Sequence, residues 1–180
     1  MYANLSVNLP SSRRRQAILT GLSTLALAGL CVPQARADVL NYSTNTTPQL
    51  FGAAAAPVDL DTLAGAQTTL AFATPAPDLV EITFSAECSV FGTLFQYGTI
   101  QILVNAAGAG GFVPIAPTIG PDDAFCSGNN VAGAFDGYVT TSMTVVARVP
   151  AGLHQVQVLA NTVAGANQFR LDDLSITVDN

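Results

Sequence analysis

The sequence predicts an all-β fold, an antiparallel two-sheet sandwich of about eight strands, of the jelly-roll kind. Three observations carry that expectation. Apolar residues recur with a period of two from Val58 onward, Gly and Pro punctuate the chain at short intervals, and no segment shows a capped 3.6-residue period. Short alternating strands between such turns, filling about 120 residues, suit a sandwich or jelly roll.

The clearest strand is Val80–Cys88. Val80, Ile82, Phe84, Ala86 and Cys88 fall on one face, and Glu81, Thr83, Ser85 and Glu87 on the other, the mark of a half-buried antiparallel strand. Gly98–Val104 repeats the pattern with Ile100, Ile102 and Val104. Val139–Val149 does so with Val139, Met143, Val145 and Ala147 inward. Weaker candidates are Val58–Thr62, Thr68–Ala73 and Phe112–Ile115, where Pro114 restricts the last to an edge or bulge. Pro150-Ala151-Gly152 reads as a tight hairpin before Leu153–Ala160, whose Val156 and Val158 point inward. In Phe169–Val178 the apolar phase slips from odd (Phe169, Leu171) to even (Leu174, Ile176, Val178). One extra residue at Asp172-Asp173 restores register, which predicts a β-bulge there.

The amino-terminal segment has a different grammar. Arg13, Arg14 and Arg15 precede an apolar run from Gly21 to Leu30, and Ala35-Arg36-Ala37 follows it. A basic region, a short apolar core and an A-x-A cleavage site are the parts of an export signal. A run of ten residues falls short of the ~20 that span a bilayer. Consecutive arginines ahead of a mild Ala/Gly/Leu core resemble a bacterial twin-arginine signal. Ala17-Ile18 stands where that family has Phe-Leu, so the general secretory route is the alternative. The chain thus divides into a cleavable signal over 1–37, an Asn/Thr/Ala-rich arm over 38–57 and a sandwich domain over 58–180. The destination is the periplasm or the extracellular space, which is oxidising, so Cys88 and Cys126 are expected to pair.

Charge narrows the function classes. The chain carries 12 Asp+Glu against 6 Arg and no Lys, and all 12 acids but only Arg148 and Arg170 lie after residue 37. A remainder with net charge −10 repels phosphate backbones and anionic lipid, so neither nucleic acid nor a membrane surface is an expected partner. Only about 10% of its residues are charged, against about 25% in ordinary domains. Apolar surface is therefore expected to meet another subunit or partner, unless Thr, Ser, Gln and Asn cover a monomer.

Val149–Val158 followed by Phe169–Val178 resembles the last two strands of bacterial jelly-roll proteins, and tumour-necrosis-factor-like domains and some carbohydrate-binding modules are similar there. The resemblance covers about 30 residues. It implies the sandwich fold, trimeric assembly on one side and glycan binding on the other, and a structural calcium ion.

Catalysis has little to work with. His154 is the single imidazole, no G-x-S-x-G motif accompanies it, and it reads as a strand residue. The two glutamates, Glu81 and Glu87, share one strand about 20 Å apart, beyond glycosidase spacing. The expectation is a non-enzymatic protein. No cofactor is expected beyond calcium, for which Asp122 and Asp123, in a Gly- and Asn-rich loop beside Cys126, rank ahead of Asp59/Asp61 and Asp172/Asp173. Glycan platforms are sparse, since Trp is absent. A self-associating structural protein of the cell exterior leads, with a glycan- or protein-binding adhesion module as the alternative.

Overall fold

The computed structural model describes residues 38–61, 66–91, 96–115, 124–128, 134–135, 137–163 and 168–180. The expected signal residues Arg13, Arg14, Arg15, Ala35 and Ala37, and the calcium candidates Asp122 and Asp123, lie outside the described residues. The described strands are β1 (Val39–Asn45), β2 (Gln49–Phe51), β3 (Ala56–Pro57), β4 (Leu70–Thr74), β5 (Asp78–Phe91) and β6 (Tyr97–Asn105). Then follow β7 (Val113–Pro114), β8 (Cys126–Ser127), β9 (Val139–Val149), β10 (Gly152–Val163) and β11 (Gln168–Asp179).

They form two antiparallel sheets. Sheet A runs β1-β11-β5-β9, with β2 also on β11; sheet B runs β3-β10-β6-β7, with β4 on β10 and β8 on β6. Taking β1 with β2, β3 with β4 and β7 with β8 as shared edges leaves eight strand positions. The chain changes sheet at nearly every connection, and the resulting order is that of a jelly roll. The inner faces bury Val80, Ile82, Phe84, Leu171 and Ile176 from sheet A against Phe72, Ile100, Ile102, Val156 and Val158 from sheet B. The alternation of β5 from Val80 to Cys88 and of β10 is the one read from sequence; β6 buries Ile100, Ile102 and Val104 as expected but also Thr99 and Leu103 of its other row.

The bulge lies where the phase slip puts it. Asp172 pairs with Glu87 and Ser175 with Ser85, so β11 carries one residue more than β5 across that interval. Asp173 takes φ +42°, the left-handed conformation that a bulge accommodates and that Asp tolerates better than most residues.

Four expectations are corrected. Residues 38–57 are not an appendage to a domain beginning at 58: β1 and β2 lie on β11 and β3 lies on β10, so the segment contributes to both sheets. Its apolar pattern is weak because β1 and β2 use polar side chains to hold the neighbouring backbone. Ser43 Oγ donates to Leu60 O, and Asn45 Nδ2 and Gln49 Nε2 donate to Asp59 O. Second, of the strand expected over Val58–Thr62 the described residues 58–61 form none, although Val58 and Leu60 are buried; Val58 N donates to Val158 O. Third, Val139 is exposed at the end of β9, whose buried row is Met143, Val145, Ala147 and Val149.

The fourth correction concerns topology. Pro150-Ala151-Gly152 makes no hairpin, because β9 pairs with β5 in sheet A while β10 pairs with β4 and β6 in sheet B. The turn carries the chain across the core. Gly152 sits at φ +136°, and a Cβ there would lie 2.7 Å from Ala107 Cβ, so both backbone conformation and space select glycine.

Candidate functional site

Cys88 and Cys126 form a disulfide with Cα atoms 6.1 Å apart. It joins β5 of sheet A to β8 of sheet B, so it is a covalent tie between the layers. Around it a file of rings crosses the sandwich: Phe84 to Phe125 at 5.8 Å, Phe125 to Phe169 at 6.5 Å, and Phe169 to Phe51 at 6.2 Å between centroids. This end of the molecule is bonded and filled.

His154 is buried under the 150–152 turn with every ring nitrogen in use. Ala107 N donates to Nδ1 at 2.9 Å, which leaves the proton of the neutral ring on Nε2. Nε2 lies 3.0 Å from Thr74 Oγ1, and that hydroxyl donates onward to Pro150 O at 2.8 Å. The imidazole positions the turn.

In each of the two described acidic pairs one carboxylate accepts from a backbone amide. Asp59 Oδ1 accepts from Gln67 N at 2.7 Å, and Asp172 Oδ1 accepts from Asp173 N at 3.0 Å. Among the described residues no group of three or more His, Cys, Asp and Glu side chains is arranged to hold a metal ion. Glu81 and Glu87 both stand on β5, as the sequence reading has them. No helix among the described residues is long and apolar enough to cross a membrane.

Two surface features remain. The first is a groove of about 340 Å³ on the outer side of sheet A, lined by Leu79, Glu81, Val146, Asp179 and Asn180. Glu81 lies across from both Asp179 and Val146, so an apolar floor is flanked by carboxylates. At its end Asp78 accepts from Asn180 Nδ2 at 3.0 Å and from Leu79 N at 2.8 Å, which hold its carboxyl below the ordinary 3.8. Further along the same sheet the Arg170 guanidinium stacks 4.7 Å from the Phe135 ring and donates to Tyr138 Oη at 2.7 Å.

The second feature is a segregation of charge that only the topology reveals. Every Asp, Glu and Arg that stands in a described strand stands in sheet A; the strands of sheet B contain none. On its outer side sheet B instead presents Gln155 and Gln157 with the exposed Leu153. Sequence alternation alone could have marked Leu153, Gln155, Gln157 and Leu159 as the outward row of β10. Without the sheet assignment the absence of charge around them was invisible.

No protein-family model matches the chain, and no curated protein does. Solved structures resemble it distantly. A structure of infectious bursal disease virus, Gx strain, aligns at 12% identity and TM-score 0.42 over 81% of this chain and 32% of the viral one. This chain thus spans about a third of the viral chain's length. The globular domain of zebrafish complement 1qA aligns at 13% identity and TM-score 0.38, over 77% of this chain and 92% of that one. A carbohydrate-binding module of Cellvibrio mixtus lichenase 5A, solved with cellotriose, aligns at 12% identity and TM-score 0.29, over 79% and 98%. Likenesses this distant carry no weight for function.

Proposed function

We propose that this is an exported β-sandwich protein that works by surface contact rather than by turnover, as a self-associating structural component of the cell exterior. The observation that carries the reading is the charge-free outer side of sheet B in a chain whose other sheet is acidic. Exposed Leu153 on that side fits a surface meant to be covered. The basic and apolar leader ending at Ala35-Arg36-Ala37 supports export to the periplasm or beyond. A disulfide between the layers suits such a place.

The groove over Leu79 and Val146 favours one second reading, a binding module for a glycan or protein, with calcium at Asp122 and Asp123 as its stabiliser. Light scattering on the protein recovered from an exporting host, with calcium and with chelator, separates the two. A stable assembly in both conditions supports the structural role. A monomer in both overturns it and shifts the weight to ligand binding, with a glycan screen to follow. A melting temperature raised by calcium would support the ion.

A further inference from the structure

Along the centre of sheet B one outward row of the charge-free face has mirror order. The outward residues of β10 run Leu153, Gln155, Gln157, Leu159, the same two residue types in mirror order about Val156. Val156 and Val158 between them are fully buried in the core, so the strand's orientation is fixed. Leu153 is 67% exposed, and the other three are partly so. Neither glutamine side chain has a hydrogen-bond partner among the described residues. The hydroxyls of sheet A differ: Thr83 and Thr144 bond each other at 2.9 Å.

A two-fold interface must be complementary to itself, with residue i on j and j on i. An amide satisfies that condition because it both donates and accepts, whereas a carboxylate meets its own copy with repulsion. In a chain whose described strand acids all lie in sheet A, sheet B is the sheet face on which two copies meet without like charges. The strands of sheet B, β3, β4, β6, β7, β8 and β10, hold 32 residues, which at about 3.3 Å by 4.8 Å each give a face of about 500 Å². Two such faces together reach the roughly 1,000 Å² at which specific interfaces begin.

We propose that the outer face of sheet B seats a second copy of this chain about a two-fold axis. The axis lies in the interface at right angles to β10, opposite Val156. Leu153 then packs on Leu159 of the second copy, and Gln155 bonds Gln157 of the second copy. The proposal rests on the self-association reading and names its surface, symmetry and register.

Two double variants test it, with solution mass measured at one concentration on protein from an exporting host. The wild type is expected at twice the chain mass. Gln155→Glu with Gln157→Glu puts carboxylates opposite carboxylates and should halve the mass. Gln155→Arg with Gln157→Glu puts each guanidinium opposite a carboxylate of the other copy and should leave the mass at two chains. Because both variants alter the same two outward positions, retention of the second also shows that substitution there permits folding. A monomeric wild type overturns this inference and the self-association reading together. A dimer that survives the Glu/Glu change overturns the face and leaves self-association standing. Loss of the dimer in both variants overturns the crossed register, and a three-chain mass overturns the two-fold axis.

Discussion

His154 Nε2 lies 3.0 Å from Thr74 Oγ1, and that contact ties β10 to the end of β4 beneath the turn by which the chain changes sheets. The other ring nitrogen accepts from the amide of Ala107, and Thr74 Oγ1 donates to Pro150 O. Three separate stretches of chain are thereby held by two side chains, both buried. Phe72 lies beside the imidazole at 4.9 Å between centroids, so the network is sealed from water on its core side.

Breaking that chain leaves a buried donor without a partner. Thr74→Val is expected to destabilise by about 1–3 kcal/mol, the range for an unsatisfied buried polar group. His154→Phe should cost a similar amount through the orphaned Ala107 amide. In the His154→Phe background Thr74→Val should cost less, because the Nε2 proton is already gone. A coupling of about 0.5–3 kcal/mol in urea unfolding checks this; strictly additive costs would mean the two side chains act independently.

Gly98 carries the tightest steric demand among the described glycines. It faces the ring of Phe169, and a Cβ at position 98 would fall closer than 3.0 Å to three of its ring carbons. Phe169 is fully buried between Phe51 and Phe125 and has nowhere to retreat. Gly98→Ala should therefore cost about 1–3 kcal/mol as an overpacking change. Phe169→Leu in the same chain should recover part of that loss. Thermal melts of the wild type and the two variants decide it, and a Gly98→Ala protein that melts with the wild type would show that the ring can move.

The disulfide closes a sequence separation of 38 residues between the two sheets. On the chain-entropy estimate this is worth about 4 kcal/mol at 25 °C. Replacing both Cys88 and Cys126 by Ala should lower the urea midpoint accordingly, with little loss of sheet signal, since the strands around it are paired independently. A double variant as stable as the wild type would make the bond dispensable.

Asp173 holds φ +42° at the bulge of β11. Left-handed backbone costs a β-branched residue most and glycine nothing. Asp173→Val should destabilise by about 1–2 kcal/mol, whereas Asp173→Gly should fold at least as well as the parent. Equal melting temperatures for the Val and Gly variants would remove backbone conformation as the constraint.

That bulge shows how far the sequence can be read. A slip in apolar phase is a local signal, and it located the extra residue at Asp172-Asp173 because Leu171 and Leu174 must both face the core. The same alternation could not say which sheet a strand joins. The turn at 150–152 therefore read as a hairpin, although the strands on either side belong to opposite layers. Residues 38–57 hid for another reason. Asn45 is 1% exposed and Ser43 and Gln49 point at the 59–60 backbone, so polar side chains occupy places where a pattern reader expects apolar ones. The charge-free face needed both pieces of knowledge at once.

Asp78 supplies an acid-side test at the rim of the sheet A groove. The Asn180 amide and, secondarily, the Leu79 N–H favour its ionised form and lower its carboxyl below 3.8 in the folded chain. A carboxyl depressed by folding binds fewer protons than its unfolded counterpart. The unfolded state therefore takes up the excess as the medium is acidified, and stability falls with pH. The contribution is complete above the ordinary value and disappears as pH drops through the lowered one. The side chain is solvent-exposed, so the effect is small and screened by salt. Asp78→Asn should accordingly melt slightly below the wild type from pH 5 to 7 in low salt, and the gap should close toward pH 2. Melting curves across that range read the sign directly. A gap that widens in acid would mean that the Asn180 contact does not favour the carboxylate.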